Sequence, residues 1–180
     1  MIHLPAASPQ AATGWLGTLV NLAAKESGSG RPGGGNVLSR LAELMFVETI
    51  RRYLETLPAS EKGWLAGLRD PVVSQALSAL HARPHERWTV ERLARTVGLS
   101  RSVLAELFHA MVGQPPMQYL TLWRMQLASR LLAGGGVVGA VASAVGYDSE
   151  AAFSRAFKKV LGQAPATWRK QAVAAGMLRA

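Results

Sequence analysis

No cysteine occurs anywhere in the 180 residues, so disulfide scaffolds, thiolate zinc sites and thiol catalysis are all excluded. Long apolar runs are missing too. None approaches the roughly 18 uncharged residues that a spanning helix needs, so no membrane partner is expected. The first ten residues, MIHLPAASPQ, have neither the basic start nor the apolar centre of a secretory signal, and a cytoplasmic location is expected. No stretch alternates apolar and polar residues between hairpin turns, which predicts an all-α chain. The 4 histidines are scattered, and no Ser-His-Asp or paired-carboxylate arrangement falls on one predicted face. The chain is therefore read as a non-enzyme without catalytic residues, metal ligands or cofactor. His81, His85 and Glu86 come closest to a metal set, but Pro84 interrupts the helix that would align them, and the two histidines are read as surface residues.

Acidic residues are scarce in one half only. Residues 1–83 hold 8 Lys+Arg against 6 Asp+Glu, a net of +2, whereas residues 84–180 hold 12 against 5, a net of +7. A basic half beside a near-neutral one fits a polyanion partner or simply a solvated basic surface.

Glycine and proline divide the chain. The glycine-rich stretch SGSGRPGGG ending at Gly35 has the composition of a flexible linker. Before it, Trp15, Leu16, Leu19, Val20 and Ala23 recur at helical spacing. After it, Val37, Leu38, Leu41, Leu44, Met45, Phe46, Ile50 and Leu54 form a wide apolar band on a helix ending before Pro58. That band packs within the chain, against a second chain, or against a domain outside this sequence. A further helix is predicted over 71–82, with Val72, Val73, Ala76, Leu77 and Leu80 inward. The short IHLPA stretch near the start has the character of a strand end.

The second half repeats itself. RSVLAELFHAMVGQPP (101–116) is echoed by SEAAFSRAFKKVLGQAP (149–165). Leu104, Leu107, Phe108 and Met111 lie at i, i+3, i+4 and i+7, and Phe153, Ala156, Phe157 and Val160 follow each of them 49 positions later. Upstream, Leu93, Ala94, Val97 and Gly98 recur as Val141, Ala142, Val145 and Gly146, 48 positions later. The single-residue difference falls in the turn, GLS against GYDS. In each unit a small residue, Ala94 or Ala142, permits a close helix crossing, and Gly98 or Gly146 suits a turn with positive φ. Ser100, and Asp148 or Ser149, can cap the second helix. The spacing thus predicts two helix-turn-helix units whose second helices carry polar outer faces, of a size that fits the major groove.

Between the units, residues 116–133 are predicted as one helix with Leu120, Trp123, Leu127 and Leu131 on a face. Eighteen residues at about 1.5 Å each give roughly 27 Å, against about 34 Å between adjacent major grooves on one side of a duplex. Such a rod can set two helices into successive grooves. The run Gly134-Gly135-Gly136 is read as a linker, since no Lys-Ser/Thr pair follows to make it a phosphate cradle. Gly139 within the next helix costs up to about 1 kcal/mol, which predicts a loose helix. Trp88, Trp123 and Trp168 are read as packing residues.

On these motifs, residues 71–172 resemble the DNA-binding domain of the AraC/XylS family of transcription regulators. The run VGYDSEAAFSRAFKKVLGQAPATWRK (145–170) carries most of the resemblance, with RMQLASRLL (124–132) of the connecting helix beside it. Residues 11–57 resemble the helical segment that follows a cupin-type sensor in some members. The barrel itself is missing, so the chain looks like a truncated regulator or a short gene product. The DNA-repair relatives of this module depend on metal-bound cysteines, which are absent. The resemblance implies an all-α fold of two helix-turn-helix units joined by a long connecting helix and preceded by a helical linker segment. The expected divisions are a sensor remnant and linker with a short helix (1–35), a linker or dimerisation helix (36–70), the DNA-binding domain (71–172) and a tail (173–180).

The candidate DNA-binding residues are Ser100, Arg101, Ser102, Ala105 and Glu106 in the first unit. In the second they are Ser149, Glu150, Ala151, Ser154, Arg155, Lys158 and Lys159. Arg155 stands where family members commonly touch DNA and can grip guanine O6 and N7 or a phosphate. Lys158 and Lys159, with Arg169 and Lys170, suit phosphates or solvent. Glu150 can contact base edges or serve the helix dipole. The first unit departs from the family pattern: Arg101 is its single base, and Glu106 replaces a polar or basic reader. Glu106 can accept from cytosine N4 or repel phosphate, and Ala105 can offer only apolar contact, for example to a thymine methyl. The resemblance further implies double-stranded promoter DNA and RNA polymerase as partners, and the apolar band of residues 36–57 allows a homodimer. The competing reading is a truncated protein-interaction module that modulates a full-length regulator while binding DNA weakly.

Overall fold

Asp70 shows how closely local chemistry sets the helix boundaries in the computed structural model, which describes residues 14–58 and 61–174. Its carboxylate accepts hydrogen bonds from the amides of Val72 and Val73, both at 2.9 Å, and Pro71 supplies a first helical residue that has no amide to satisfy. The described residues contain helices and no strand. In order they are α1 (Trp15–Ser27), α2 (Gly34–Thr56), α3 (Trp64–Gly67), α4 (Pro71–Ala82), α5 (Val90–Thr96), α6 (Arg101–Val112), α7 (Pro116–Ala133), α8 (Val138–Ala144), α9 (Glu150–Leu161) and α10 (Pro165–Ala174). They belong to two compact units that divide after residue 59.

The N-terminal unit contains α1 and α2, which pack on one another across the turn at 28–33. The glycine-rich stretch is therefore only partly a connector: Gly34 and Gly35 already form the first turn of α2. Leu19 and Leu41 are buried, but most of the apolar band is not. Phe46 is 68% exposed, and Trp15, Val20, Leu22, Leu44 and Val47 are also open to solvent. The strand end expected at IHLPA lies outside the described residues.

In the C-terminal unit the apolar residues form two cores. Val73, Ala76, Leu77 and Leu80 of α4 join Leu93 and Ala94 of α5 and Leu104 and Phe108 of α6 in the first. Val141, Ala142, Phe153 and Phe157 from α8 and α9 form the second. The long helix α7 serves both: Tyr119 and Leu120 enter the first core, whereas Met125, Ala128 and Leu132 enter the second. This corrects the single face expected from sequence. Leu120 is buried, but Leu131 is 39% exposed while its neighbour Leu132 is fully buried. A helix shared by two cores on different sides has no one apolar stripe. Burying a Leu or Phe side chain contributes roughly 1.5–3 kcal/mol, so both cores add to the stability of the C-terminal unit.

Two short elements complete the unit. α3 packs on α4 and α6, and α10 packs on α7 and α9, where the Trp168 indole Nε1–H donates to the Ser129 carbonyl at 3.2 Å. The triple glycine is a hydrogen-bonded turn: the amides of Gly134, Gly135 and Gly136 donate to the carbonyls of Arg130, Leu132 and Leu131. Beyond it, α8 forms and buries Val141 and Ala142.

Candidate nucleic-acid interface

The turns of the two helix-turn-helix units share the same pair of hydrogen bonds. In the first, the amides of Gly98 and Leu99 donate to the carbonyls of Arg95 and Ala94; in the second, Gly146 and Tyr147 donate to Ser143 and Ala142. Both glycines take the left-handed conformation, at φ +71° and +85°, which side chains other than glycine adopt at a cost. Ser100 Oγ then accepts from the Val103 amide at 3.4 Å, and Ser149 Oγ from the Ala152 amide at 3.2 Å. Of the two caps expected in the second unit, Ser149 takes the role.

Because Leu104, Phe108 and Val112 turn inward, α6 presents its opposite face to solvent. Phe153 and Phe157 do the same for α9. Ser100, Arg101, Ser102 and Glu106 are exposed and Ala105 is half-buried. Ser149, Glu150, Ala151, Arg155, Lys158 and Lys159 are exposed and Ser154 is half-buried.

Electrostatically the two outer faces differ. Arg101 Nε lies 3.0 Å from Glu91 Oε1 of α5. The Glu91 carboxyl is held below its ordinary range, first by its own backbone amide and the Thr89 hydroxyl, then by Arg101 and Arg95. It is ionised at neutral pH, so the single base of the first outer face already has a partner. Arg155, Lys158 and Lys159 make no ion pair among the described residues. Glu150 leans back toward its own unit, with Oε2 against Gly139 of α8. That position fits service to the helix terminus better than reach toward a ligand.

A strap formed by residues 83–88, between α4 and α5, has no periodic pattern to mark it in the sequence. Trp88 donates its indole N–H to the Arg83 carbonyl at 2.9 Å and enters the first core. The Arg92 guanidinium stacks over the Trp88 ring at 4.9 Å and pairs with Glu86. From α7, Arg124 donates through Nε to the Pro84 carbonyl at 2.7 Å and through Nη2 to the Glu86 carbonyl at 2.8 Å. The same guanidinium sits 5.7 Å from the centre of the Tyr147 ring, in the turn of the second unit. Arg87 pairs with Asp148 of that turn at 2.8 Å. The clue in sequence is Arg124 itself, in the middle of an otherwise core-forming helix. His81 also departs from expectation: it is no surface residue but a half-buried one, its ring tilted against that of Trp123 with centres 4.2 Å apart.

Comparison with known proteins places this arrangement. A family model described as a helix-turn-helix domain matches residues 93–171, and one described as a cupin matches residues 1–55. A protein of Streptomyces lividans named as an AraC-like transcription regulator is 44% identical over 173 residues, covering 94% of this chain and 56% of that protein. The HTH-type transcriptional regulator AlkR of Acinetobacter baylyi is 37% identical over 172 residues, covering 95% of this chain and 56% of the other. The chain thus spans about half the length of these curated relatives. The DNA-binding domain of AdpA, a global transcriptional factor crystallised in complex with a target DNA, aligns with a TM-score of 0.53 at 31% identity. That alignment covers 57% of this chain and 92% of the other.

Proposed function

The chain belongs to the AraC-type family of transcription regulators, and from that membership we propose that it binds double-stranded DNA sequence-specifically, with α6 and α9 in successive major grooves. One observation carries the reading. The same capped helix is built twice, each copy with a buried apolar side and an exposed polar side, and both copies pack on one rod, α7. An exposed polar helix about as wide as the major groove is the element that reads base edges there.

The second unit supplies most of the sequence recognition. Arg155 has no competing acid and a planar fork that matches guanine O6 and N7. Lys158 and Lys159 follow one turn later and neutralise phosphates. Ser100 and Ser149, already engaged as caps, orient the helices and add only peripheral contacts. The first unit contributes less, because Arg101 must leave Glu91 to reach DNA and Glu106 opposes phosphate. Ser102 and Ala105 provide its remaining base-edge contacts, and Ala151 and Ser154 their counterparts in the second.

The exposed apolar residues of α1 and α2 support self-association through the N-terminal unit, so that each dimer presents four helices to DNA. Family membership adds RNA polymerase as the second macromolecular partner and the cytoplasm as the place of action.

The test is a binding titration of the intact chain against a duplex selected by that chain from random-sequence DNA. Specific binding is expected to exceed binding to scrambled DNA by about a thousandfold or more and to weaken steeply with salt. Failure to enrich any sequence, or binding indifferent to salt, would rule the reading out.

A further inference from the structure

The two cores of the DNA-binding unit share α7 but no buried side chain, so a single helix connects the halves that hold α6 and α9. One helix sets the distance between them but does not by itself fix their relative rotation. A slight curvature or twist along that helix is enough to turn one core against the other unless other contacts cross beside it. The strap at 83–88 supplies those contacts, and it is itself rigid. Pro84 and Trp88 are buried, the Trp88 indole is bonded back to Arg83, and the Arg92 guanidinium donates to the Arg87 carbonyl at 3.2 Å. The strap therefore moves with the first unit.

Three contacts then fix the second unit to it. Arg124 bonds two strap carbonyls at once from the middle of α7, between Leu120 of the first core and Met125 of the second. Gly146 rests on His85 so closely that a Cβ there would lie 2.5 Å from the His85 carbonyl oxygen and 2.8 Å from Arg124 Nη2. Arg87 reaches Asp148 across the same junction. Two roughly parallel hydrogen bonds from a planar guanidinium constrain orientation as well as distance, which a lysine ammonium cannot do.

We propose that Arg124 is a positioning residue that fixes the separation and rotational phase of the two recognition helices, and so selects the spacing between the two half-sites that the protein accepts on DNA. It touches no base. It acts through the Pro84 and Glu86 carbonyls and through the Gly146–Tyr147 turn that leads directly into α9. The inference rests on the two-groove reading above. Inserting one base pair between half-sites rotates one against the other by about 34° and displaces it by about 3.4 Å, more than a braced pair of helices can follow.

The experiment uses the intact chain and the selected duplex, with one or two base pairs inserted or removed between the protected half-sites. Wild type should lose about tenfold or more in affinity for each single-pair change, comparable to a base mismatch. Arg124→Gln should bind the original spacing less tightly and show a flattened profile, with the altered spacings within about threefold of it. Arg124→Lys should behave like Arg124→Gln. Arg87→Ala, which removes only an exposed contact and leaves the fold intact, should flatten the profile in the same direction to a smaller extent. A profile for Arg124→Gln parallel to wild type, lowered equally at every spacing, overturns the proposal, as does an unchanged Arg87→Ala profile. Wild type that prefers the selected duplex yet ignores spacing also overturns it, while leaving DNA recognition standing. Wild type with no preference for any duplex removes the two-groove reading first.

Discussion

Tyr119 of α7 and His81 of α4 meet at 2.7 Å between the phenolic oxygen and Nε2, joining the connecting helix to the first unit. Burial raises the tyrosine to about 12 and lowers the histidine from its ordinary 6.5. The hydroxyl thus keeps its proton at neutral pH and the imidazole stays neutral, with the ring's tautomer setting which of the two donates.

That pair predicts a pH dependence with a definite sign. In the unfolded chain His81 protonates near 6.5; in the folded chain it does so only at lower pH. Between those values the unfolded state holds more protons, so stability is fully present above 6.5 and declines as the pH falls toward the folded value. Thermal unfolding between pH 7.5 and 5 should show that decline in wild type and a shallower one in His81→Phe. Equal slopes would mean that His81 takes its proton as easily folded as unfolded.

The matching glycines of the two turns should respond differently to the same change. At Gly98, an added Cβ meets nothing within 4 Å, so Gly98→Ala should cost only the left-handed backbone penalty of about 1–2 kcal/mol. At Gly146 the Cβ runs into the His85 backbone, and overpacking adds about 1–3 kcal/mol to that penalty. Urea midpoints of the two variants give the comparison. Equal losses would mean that the junction yields freely.

Arg155 and Lys158 are exposed on the same helix, and the proposed function gives them different tasks. Replacing Arg155 by Ala should lower discrimination at one base pair by about 1–3 kcal/mol. Lys158→Ala should weaken all duplexes about equally and reduce the slope of log affinity against log salt by about 0.9. If Arg155→Ala leaves the ratio of selected to scrambled affinity intact, Arg155 contacts phosphate rather than base.

The repeated units are legible in the sequence because their determinants are local. Periodic apolar residues choose the inner faces, Gly98 and Gly146 make the turns, and serines three residues before the first bonded amide cap the helices. What escapes sequence reasoning depends on residues far apart in the chain. The inner face of α7 is misjudged around Leu131 because a single stripe presumes a single core, whereas Leu120 and Leu132 point into different ones. Arg124 is visible as a charged residue in a buried helix, yet its partners Pro84 and Glu86 stand 40 and 38 positions away. His81 is misread as a surface group because only the fold brings Tyr119 and Trp123 against it. Arg101 has the composition of a DNA contact, and only the packing of α5 shows the acid beside it.

Methylation protection of guanine N7 on the selected duplex tests the central claim most directly, since the reagent attacks the major groove, where the proposal puts both helices. Two protected patches centred about 10–10.5 base pairs apart on one face of the duplex are predicted, with Arg155→Ala exposing a guanine in only one of them. A single patch, or two patches on opposite faces, would contradict the account.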